Sequence, residues 1–318
     1  MISEFALIER YFTRPAPTAD LGVGDDAALV RIPEGHQLAV STDMLVCGRH
    51  FLADVAPARL GHKCLAVNLS DMAAMGAAPR WFTLSVSLPE VNETWLGEFS
   101  KGMFALADRF GTELIGGDTT SGPLNICVQI LGVVPTGQAL KRSGAQPGDD
   151  VWVSGTLGDA ALGLAALKGE VQLSSDALDF ARARLEQPSP RVALGIALRG
   201  VASAAIDVSD GLLADIGHIL DRSNVGASIE WERVPLSNAL RSHCDTERQQ
   251  RYALSGGDDY ELCFTASPRH RETIATVARA QVLTLARIGV IESTAGARVR
   301  DGQGHPVQLA SHGFDHFV

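Results

Sequence analysis

Six short segments of the chain set aspartate beside glycine, serine or threonine. They are Gly22-Val23-Gly24-Asp25-Asp26-Ala27, Ser41-Thr42-Asp43, Asn68-Leu69-Ser70-Asp71, Gly116-Gly117-Asp118-Thr119, Asp207-Val208-Ser209-Asp210-Gly211 and Gly256-Gly257-Asp258-Asp259-Tyr260-Glu261. Several directly follow an apolar run, and strand ends in α/β proteins converge on one rim where ligands bind. Two carboxylates about 4 Å apart repel by roughly 4 kcal/mol at an effective dielectric of about 20. Converging aspartates therefore need protons or cations. Oxygen-only donors select hard cations, Mg²⁺ before Zn²⁺. Several Mg²⁺ ions in an acidic protein imply a phosphate-rich substrate, because the metal bridges two negative partners. A single Asp-Gly or Asp-Asp pair is ordinarily a turn or a helix cap. Six such segments in one chain make a metal–phosphate site the stronger reading.

Other chemistry is weaker. Gly22-x-Gly24-x-x-Ala27 matches a dinucleotide fingerprint on paper, but no clear strand precedes it and two aspartates would face the pyrophosphate. No Walker A sequence and no kinase HRD or DFG set is present. Gly155-x-x-Gly158 reads either as a phosphate seat at a helix N-terminus or, more simply, as a tight strand–helix turn. His50 sits in a loop near the proposed rim. The tail holds His312 and His316, but imidazole is a poor Mg²⁺ ligand, so a docked C-terminal segment is the simpler reading.

These residues need a scaffold, and the composition permits one. The chain has 318 residues, 46% hydrophobic and 20% charged, which is enough for two domains with full cores. Aromatics are 6% and the formal charge is −10, so a nucleic-acid partner is not expected. The five cysteines form no CxxC pair, which suggests reduced thiols in a cytoplasmic protein. The N-terminus lacks the basic start of a signal peptide. The uncharged stretch 119–140 is long enough for a membrane span, but its glycines and prolines favour a buried strand over about 124–134.

Apolar spacing predicts helices over 3–12, 58–75 and 93–110, the last ended by Gly111, and strands over 37–46, 81–88 and 124–134. The second stretch of helix carries Asn68 and Asp71 on one face. The turn-rich segment 135–150 marks a domain boundary near residue 140, giving domains 1–140 and 141–318. Beyond it come strands near 151–154, 203–208, 227–231, 261–266 and 285–291. Helices follow Pro190 and run over 212–222. Strands and helices alternate, so the class is α/β or α+β.

Taken in order, Gly24-Asp-Asp-Ala27, Ser41-Thr-Asp43, Asn68-Leu-Ser-Asp-Met-Ala-Ala-Met-Gly-Ala77, Ile115-Gly-Gly-Asp-Thr119, Asp207-Val-Ser-Asp-Gly211 and Ser255-Gly-Gly-Asp-Asp-Tyr-Glu-Leu262 closely resemble the thiamine-monophosphate kinase family. The resemblance runs from Phe5 to Phe317. It implies the two-domain aminoimidazole ribonucleotide synthetase-like fold, with an N-terminal sheet that pairs with a second subunit into a barrel-like homodimer core and a C-terminal α/β domain. It also implies phosphorylation of thiamine monophosphate by ATP with several Mg²⁺ ions; no membrane partner is expected. By resemblance, Asp26, Ser41, Thr42, Asp43, Asp71, Asp118, Asp207 and Asp210 match the magnesium positions. On this set we expect one ion on Asp43, Asp71 and Asp118 and another on Asp26, Asp71 and Asp207. Gly117, Asp118, Arg142 and Ser209 match the nucleotide positions. His50, Asp258 and Phe314 match the substrate positions, where the family often has Glu in place of Asp258 and a larger aromatic in place of Phe314. No residue is expected as a covalent nucleophile. Related synthetases of the fold are disfavoured: selenophosphate synthetase lacks its early Cys and Lys here, and the hydrogenase maturation family lacks its terminal Cys, since this chain ends His316-Phe317-Val318.

Overall fold

The computed structural model describes residues 3–307, so Phe314 and the rest of the histidine-bearing tail lie outside the described residues. The chain divides into two compact units, residues 1–72 with 77–137 and residues 73–76 with 138–318. Among the described residues no helix is long and apolar enough to cross a membrane.

The first unit runs α1 (Glu4–Tyr11), β1 (Ala19–Leu21), β2 (Leu29–Val30), β3 (His36–Val46), α2 (Pro57–Ala74), β4 (Ala78–Leu88), α3 (Glu93–Phe110), β5 (Glu113–Ser121) and β6 (Asn125–Pro135). Its four-stranded sheet has the order β3-β6-β4-β5. Pairing of β3 with β6 and of β6 with β4 is antiparallel, and β4 with β5 is parallel. Helix α3 has the ends its sequence dictates. Asn92 accepts from the Trp95 N–H, and Gly111 takes the left-handed conformation that closes the helix. Trp95 and Phe99, one turn apart, stack with centroids 5.0 Å apart.

Period-two alternation sorts the sheet into two faces. Ile126, Val128 and Ile130 of β6 are fully buried, and Met72 of α2 packs over Gly132 on that side. Ser41 and Asp43 of β3 pair with Ile130 and Val128 and so share this helix-covered face. Thr42 pairs with Gln129 on the opposite face, along with Leu38, Val40 and Met44. Those three apolar side chains are 40%, 52% and 54% exposed, an open apolar stripe that burial rules alone do not explain. The strand also continues past Asp43, because Met44, Leu45 and Val46 keep pairing with Cys127, Ile126 and Asn125. The Ser41-Thr42-Asp43 motif is therefore held in the middle of a strand.

The second unit contains β7 (Asp150–Ser154), α4 (Asp159–Leu167), α5 (Ser175–Glu186), α6 (Val192–Ala197), β8 (Ala204–Val208), α7 (Leu212–Ser223), β9 (Gly226–Glu230), α8 (Asn238–His243), α9 (Thr246–Ser255), β10 (Glu261–Ala266), α10 (Arg271–Gln281), β11 (Leu285–Glu292) and β12 (Gly296–Arg300). Its six-stranded sheet is ordered β12-β9-β11-β7-β10-β8. Strands β8 and β10 are buried at every residue, as the near-continuous apolar runs Ala204–Val208 and Leu262–Ala266 demand. Val151, Val153, Ile206, Val208, Ile216, Ile219 and Ile288 belong to one core cluster in this unit.

Candidate active site

In the first unit, β3 and α2 bring two of the sequence-predicted groups into contact. The Ser41 hydroxyl donates to Asp71 Oδ2 at 2.5 Å. Asp43 lies two residues along β3 on the same face. Asn68, one turn before Asp71, is fully buried; its amide donates to the Cys64 carbonyl, and its Oδ1 has no hydrogen-bond partner. His50 lies in the turn after β3. Its Nδ1 accepts the Val46 N–H at 3.0 Å, which leaves the ring proton on Nε2, and its carbonyl accepts from buried Lys63.

Other predicted residues of this unit stand apart. The Thr42 side chain is on the open face, where its hydroxyl accepts from Gln129 Nε2 at 3.3 Å. Asp26 is exposed in the segment between β1 and β2, its N–H turned to Asp25 Oδ1. That segment follows a three-residue strand and leads to a two-residue one, so the rejected dinucleotide fingerprint has no helix behind it. Gly117 and Asp118 lie within β5, at the opposite edge of the sheet from β3. Three strand spacings make about 14 Å, so one chain does not bring Asp118 to Asp43. The reason is register: Asp118 pairs with Ser85, which pairs with Cys127 on the open face. Gly117 permits this tight edge, since a Cβ there would fall 1.8 Å from the Leu84 carbonyl oxygen.

In the second unit, the loop after β8 and the loop before β10 meet. Ser209 O accepts the Asp258 N–H at 2.8 Å, and Val208 O accepts the Tyr260 N–H at 2.8 Å. Gly257 makes the approach possible, because a Cβ there would lie 2.4 Å from Ser209 O. Asp207, Ser209, Asp210 and Asp258 are thereby gathered on adjoining backbone. Arg142 is elsewhere in this unit. Its carbonyl accepts from Ser223 at the C-terminal end of α7, whereas Ser209 precedes the N-terminal end. A twelve-residue helix spans about 18 Å.

Three buried carboxylates that the sequence reading did not single out, or left without a role, support these loops. Asp215 Oδ2 accepts the N–H groups of Ser209, Asp210 and Gly211 at 2.9, 3.0 and 3.1 Å. Burial and then the neighbouring Asp207 push its carboxyl up to about 8. Asp259 Oδ2 accepts the Gly158 N–H at 2.6 Å, so the Gly155–Gly158 turn that resembled a phosphate seat is filled by the protein's own carboxylate. Burial pushes Asp259 up to about 8 against the pull of Arg184 and that N–H. Glu261 is fully buried and bound by Arg184, Arg191 and Ser154. The only sequence cue to these three was the alternation Asp258-Asp259-Tyr260-Glu261 and an aspartate one turn into the helix after Asp210.

Among the described residues, no three His, Cys, Asp or Glu side chains are gathered closely enough to cage an ion by themselves. What the sites offer is a carboxylate with a hydroxyl (Asp71, Ser41) and carboxylates on a loop (Asp207, Asp210), all of them oxygen donors. This fits Mg²⁺, which binds through one or two carboxylates and keeps the rest of its octahedron for water and substrate phosphate.

The AIR synthase related protein N-terminal domain matches residues 24–134, and the AIR synthase related protein C-terminal domain matches residues 146–302. The thiamine-monophosphate kinase of Salmonella typhimurium is 48% identical over 321 residues, covering 99% of this chain and 98% of its own. The crystal structure of thiamine-monophosphate kinase from Stenotrophomonas maltophilia K279a is 48% identical with a TM-score of 0.88, over 96% of this chain and 98% of that one. AaThiL complexed with AMPPCP and TMP is 31% identical with a TM-score of 0.80, over 99% of this chain and 97% of that one. Domain order, full-length coverage and identity agree: the chain belongs to the thiamine-monophosphate kinase family.

Proposed function

We propose that this protein transfers the γ-phosphoryl group of ATP to the phosphate of thiamine monophosphate, forming thiamine diphosphate and ADP as the last step of thiamine diphosphate synthesis. The observation that carries the reading is the end-to-end match to thiamine-monophosphate kinases at 48% identity. The site chemistry supports it, since every predicted metal position is an oxygen donor.

An acceptor phosphate oxygen attacks Pγ in line, the bond from Pγ to the bridging oxygen of ADP breaks, and ADP leaves as the anion. The acceptor is already anionic near neutral pH, so no strong general base and no covalent nucleophile is required. The protein's part is positioning and charge neutralisation. In the first unit Asp26, Ser41, Asp43 and Asp71 would hold Mg²⁺, with Thr42 contributing its backbone carbonyl, because its side chain faces away. In the second unit Asp207 and Asp210 would do so. Bound there, Mg²⁺ supplies charge neutralisation to the phosphate oxygens. Gly117, Asp118, Arg142 and Ser209 serve the nucleotide, with Arg142 and Ser209 on different parts of it, given their separation. His50 and Asp258 serve thiamine monophosphate, His50 through its Nε2 proton. Phe314 is assigned to the same ligand by its sequence position.

The protein acts as a homodimer in this reading. The open stripe of Leu38, Val40 and Met44 is the surface a second copy covers, and Asp118, on the same face, then faces that copy. Charged replacements at Val40 and Met44 yield a monomer by light scattering; an unchanged dimer removes this face from the interface. Five unpaired cysteines suit the cytoplasm, where such a kinase works.

Phosphorus-31 NMR of the purified protein with ATP, Mg²⁺ and thiamine monophosphate tests the function. A thiamine diphosphate doublet pair matched one-for-one by ADP is expected. Intact thiamine monophosphate beside a folded, ATP-binding protein refutes it.

A further inference from the structure

We propose that Glu261, clamped by Arg184 and Arg191, is the positioning residue for the phosphoryl acceptor: it sets the turn that presents Asp258. The proposal rests on the assignment of Asp258 to thiamine monophosphate.

The segment Asp258–Glu261 is sorted by its backbone. Asp259 and Glu261 are buried, while Asp258 and Tyr260 are half-buried. Asp258 and Tyr260 both take positive φ, 69° and 49°, a conformation that side-chain-bearing residues adopt only when their surroundings impose it. Neighbouring groups impose it here. Asp258 and Tyr260 donate their N–H groups to Ser209 and Val208. Asp259 is tied to the Gly158 N–H. Glu261 closes the segment: Arg191 Nε donates to its Oε2 at 2.6 Å and Arg191 Nη2 to its Oε1, a two-point fork on one carboxylate. Arg184 Nη2 donates to Oε1 at 2.9 Å and also reaches the Thr156 and Asp259 carbonyls at 3.3 and 3.4 Å. Ser154 donates to Oε2 at 2.5 Å and accepts the Leu262 N–H at 2.9 Å.

Every polar atom of the Glu261 carboxylate is thus committed inside the protein, which excludes direct contact with a ligand. A buried ion network is also a poor source of net stability, because apolar side chains of equal volume usually do as well or better. What the network supplies is geometry. The fork fixes Glu261, Arg184 fixes the carbonyl of Asp259, and the strained residue between that carbonyl and Ser209 is Asp258. Loss of the fork lets the turn relax and moves the Asp258 carboxylate, while the nucleotide and metal positions on Ser209 and Asp210 keep their own support in Asp215.

The test is steady-state kinetics on full-length Arg191→Gln, Arg191→Lys and Asp258→Asn, each checked for folding by circular dichroism. Arg191→Gln is expected to raise KM for thiamine monophosphate about ten- to a hundredfold while KM for ATP moves less than about twofold. Arg191→Lys, which keeps the charge but not the two-point fork, is expected to fall between it and the parent, and carries the test should the glutamine variant fail to fold. Unchanged KM for thiamine monophosphate in folded Arg191 variants, or an equal rise for both substrates, overturns the proposal. The parallel variant separates the two assignments. If Asp258→Asn raises KM for thiamine monophosphate and the Arg191 variants do not, the positioning role alone falls. If Asp258→Asn leaves it unchanged, the acceptor assignment falls and the proposal with it.

Discussion

The two units hold their candidate aspartates by opposite means. In the first, Ser41, Asp43 and Asp71 project from a strand laddered to β6 and from a helix, both regular structure that forms without their side chains. In the second, Ser209, Asp210 and Asp258 sit on irregular loops whose backbone N–H groups would have no partner without Asp215 and the neighbouring loop. A carboxylate on regular structure inherits its position from the sheet or helix. A carboxylate on a loop needs a second, buried carboxylate to hold it. The first arrangement separates activity from stability, and the second couples them.

The sharpest way to break this comparison is Asp71→Asn. Turnover is expected to fall about a thousandfold or more with the thermal midpoint unchanged; near-parental turnover in a folded protein refutes the metal assignment of the first unit. Asp215→Ala is expected to do both kinds of damage. Three loop N–H groups lose their acceptor, which costs about 3 kcal/mol of stability, read as a shift in the denaturant midpoint, and activity falls with it. Full stability in that variant would mean that the loop is held by something else. Ser41→Ala sharpens the contrast, since it removes one hydrogen bond to Asp71 and is expected to cost about 1 kcal/mol or less in stability while weakening activity through a misoriented Asp71. A large loss of stability there would contradict the account of the first unit.

The smallest effect is on pH dependence. Asp259 is held up to about 8 in the folded chain, against about 3.9 in an unfolded one. A carboxyl raised by folding stabilises the protein while it is protonated. That contribution is complete below about pH 4 and is lost as the pH climbs through about 8. Asp215 acts in the same direction. The thermal midpoint of the metal-free protein is expected to drop between about pH 6 and about pH 8.5, and Asp259→Asn to flatten the drop. An unchanged slope in that variant assigns the effect to other groups.

Local pattern made much of the molecule legible. Helix α3 with its Gly111 stop, strand β6 and the strands flanking the Asp207 and Asp258 loops all follow from residue spacing, because helix period, strand period and glycine stops act over a few residues. The motif series was enough to indicate the family. Side-chain direction was not legible. Nothing in Ser41-Thr42-Asp43 shows that the middle residue turns to the open face, since that depends on register with a strand more than eighty residues away: Gln129 meets Thr42 across a separation of 87. The Asp258-Asp259 doublet likewise gives no sign of which residue is buried.

Composition and motif order by themselves determined the class of protein, the oxygen-only donor chemistry and the fold type. Tertiary structure alone decided that Asp118 and Asp43 lie at opposite edges of one sheet, that the phosphate-like turn at Gly158 is occupied by Asp259, and that the buried Glu261 carboxylate is bound by Arg184, Arg191 and Ser154. The physical reason is distance along the chain. Glu261 meets Arg191 across a separation of 70 residues and Ser154 across 107. Such partners are chosen by packing and by the need to pair every buried charge, a constraint that exists only once the chain has folded.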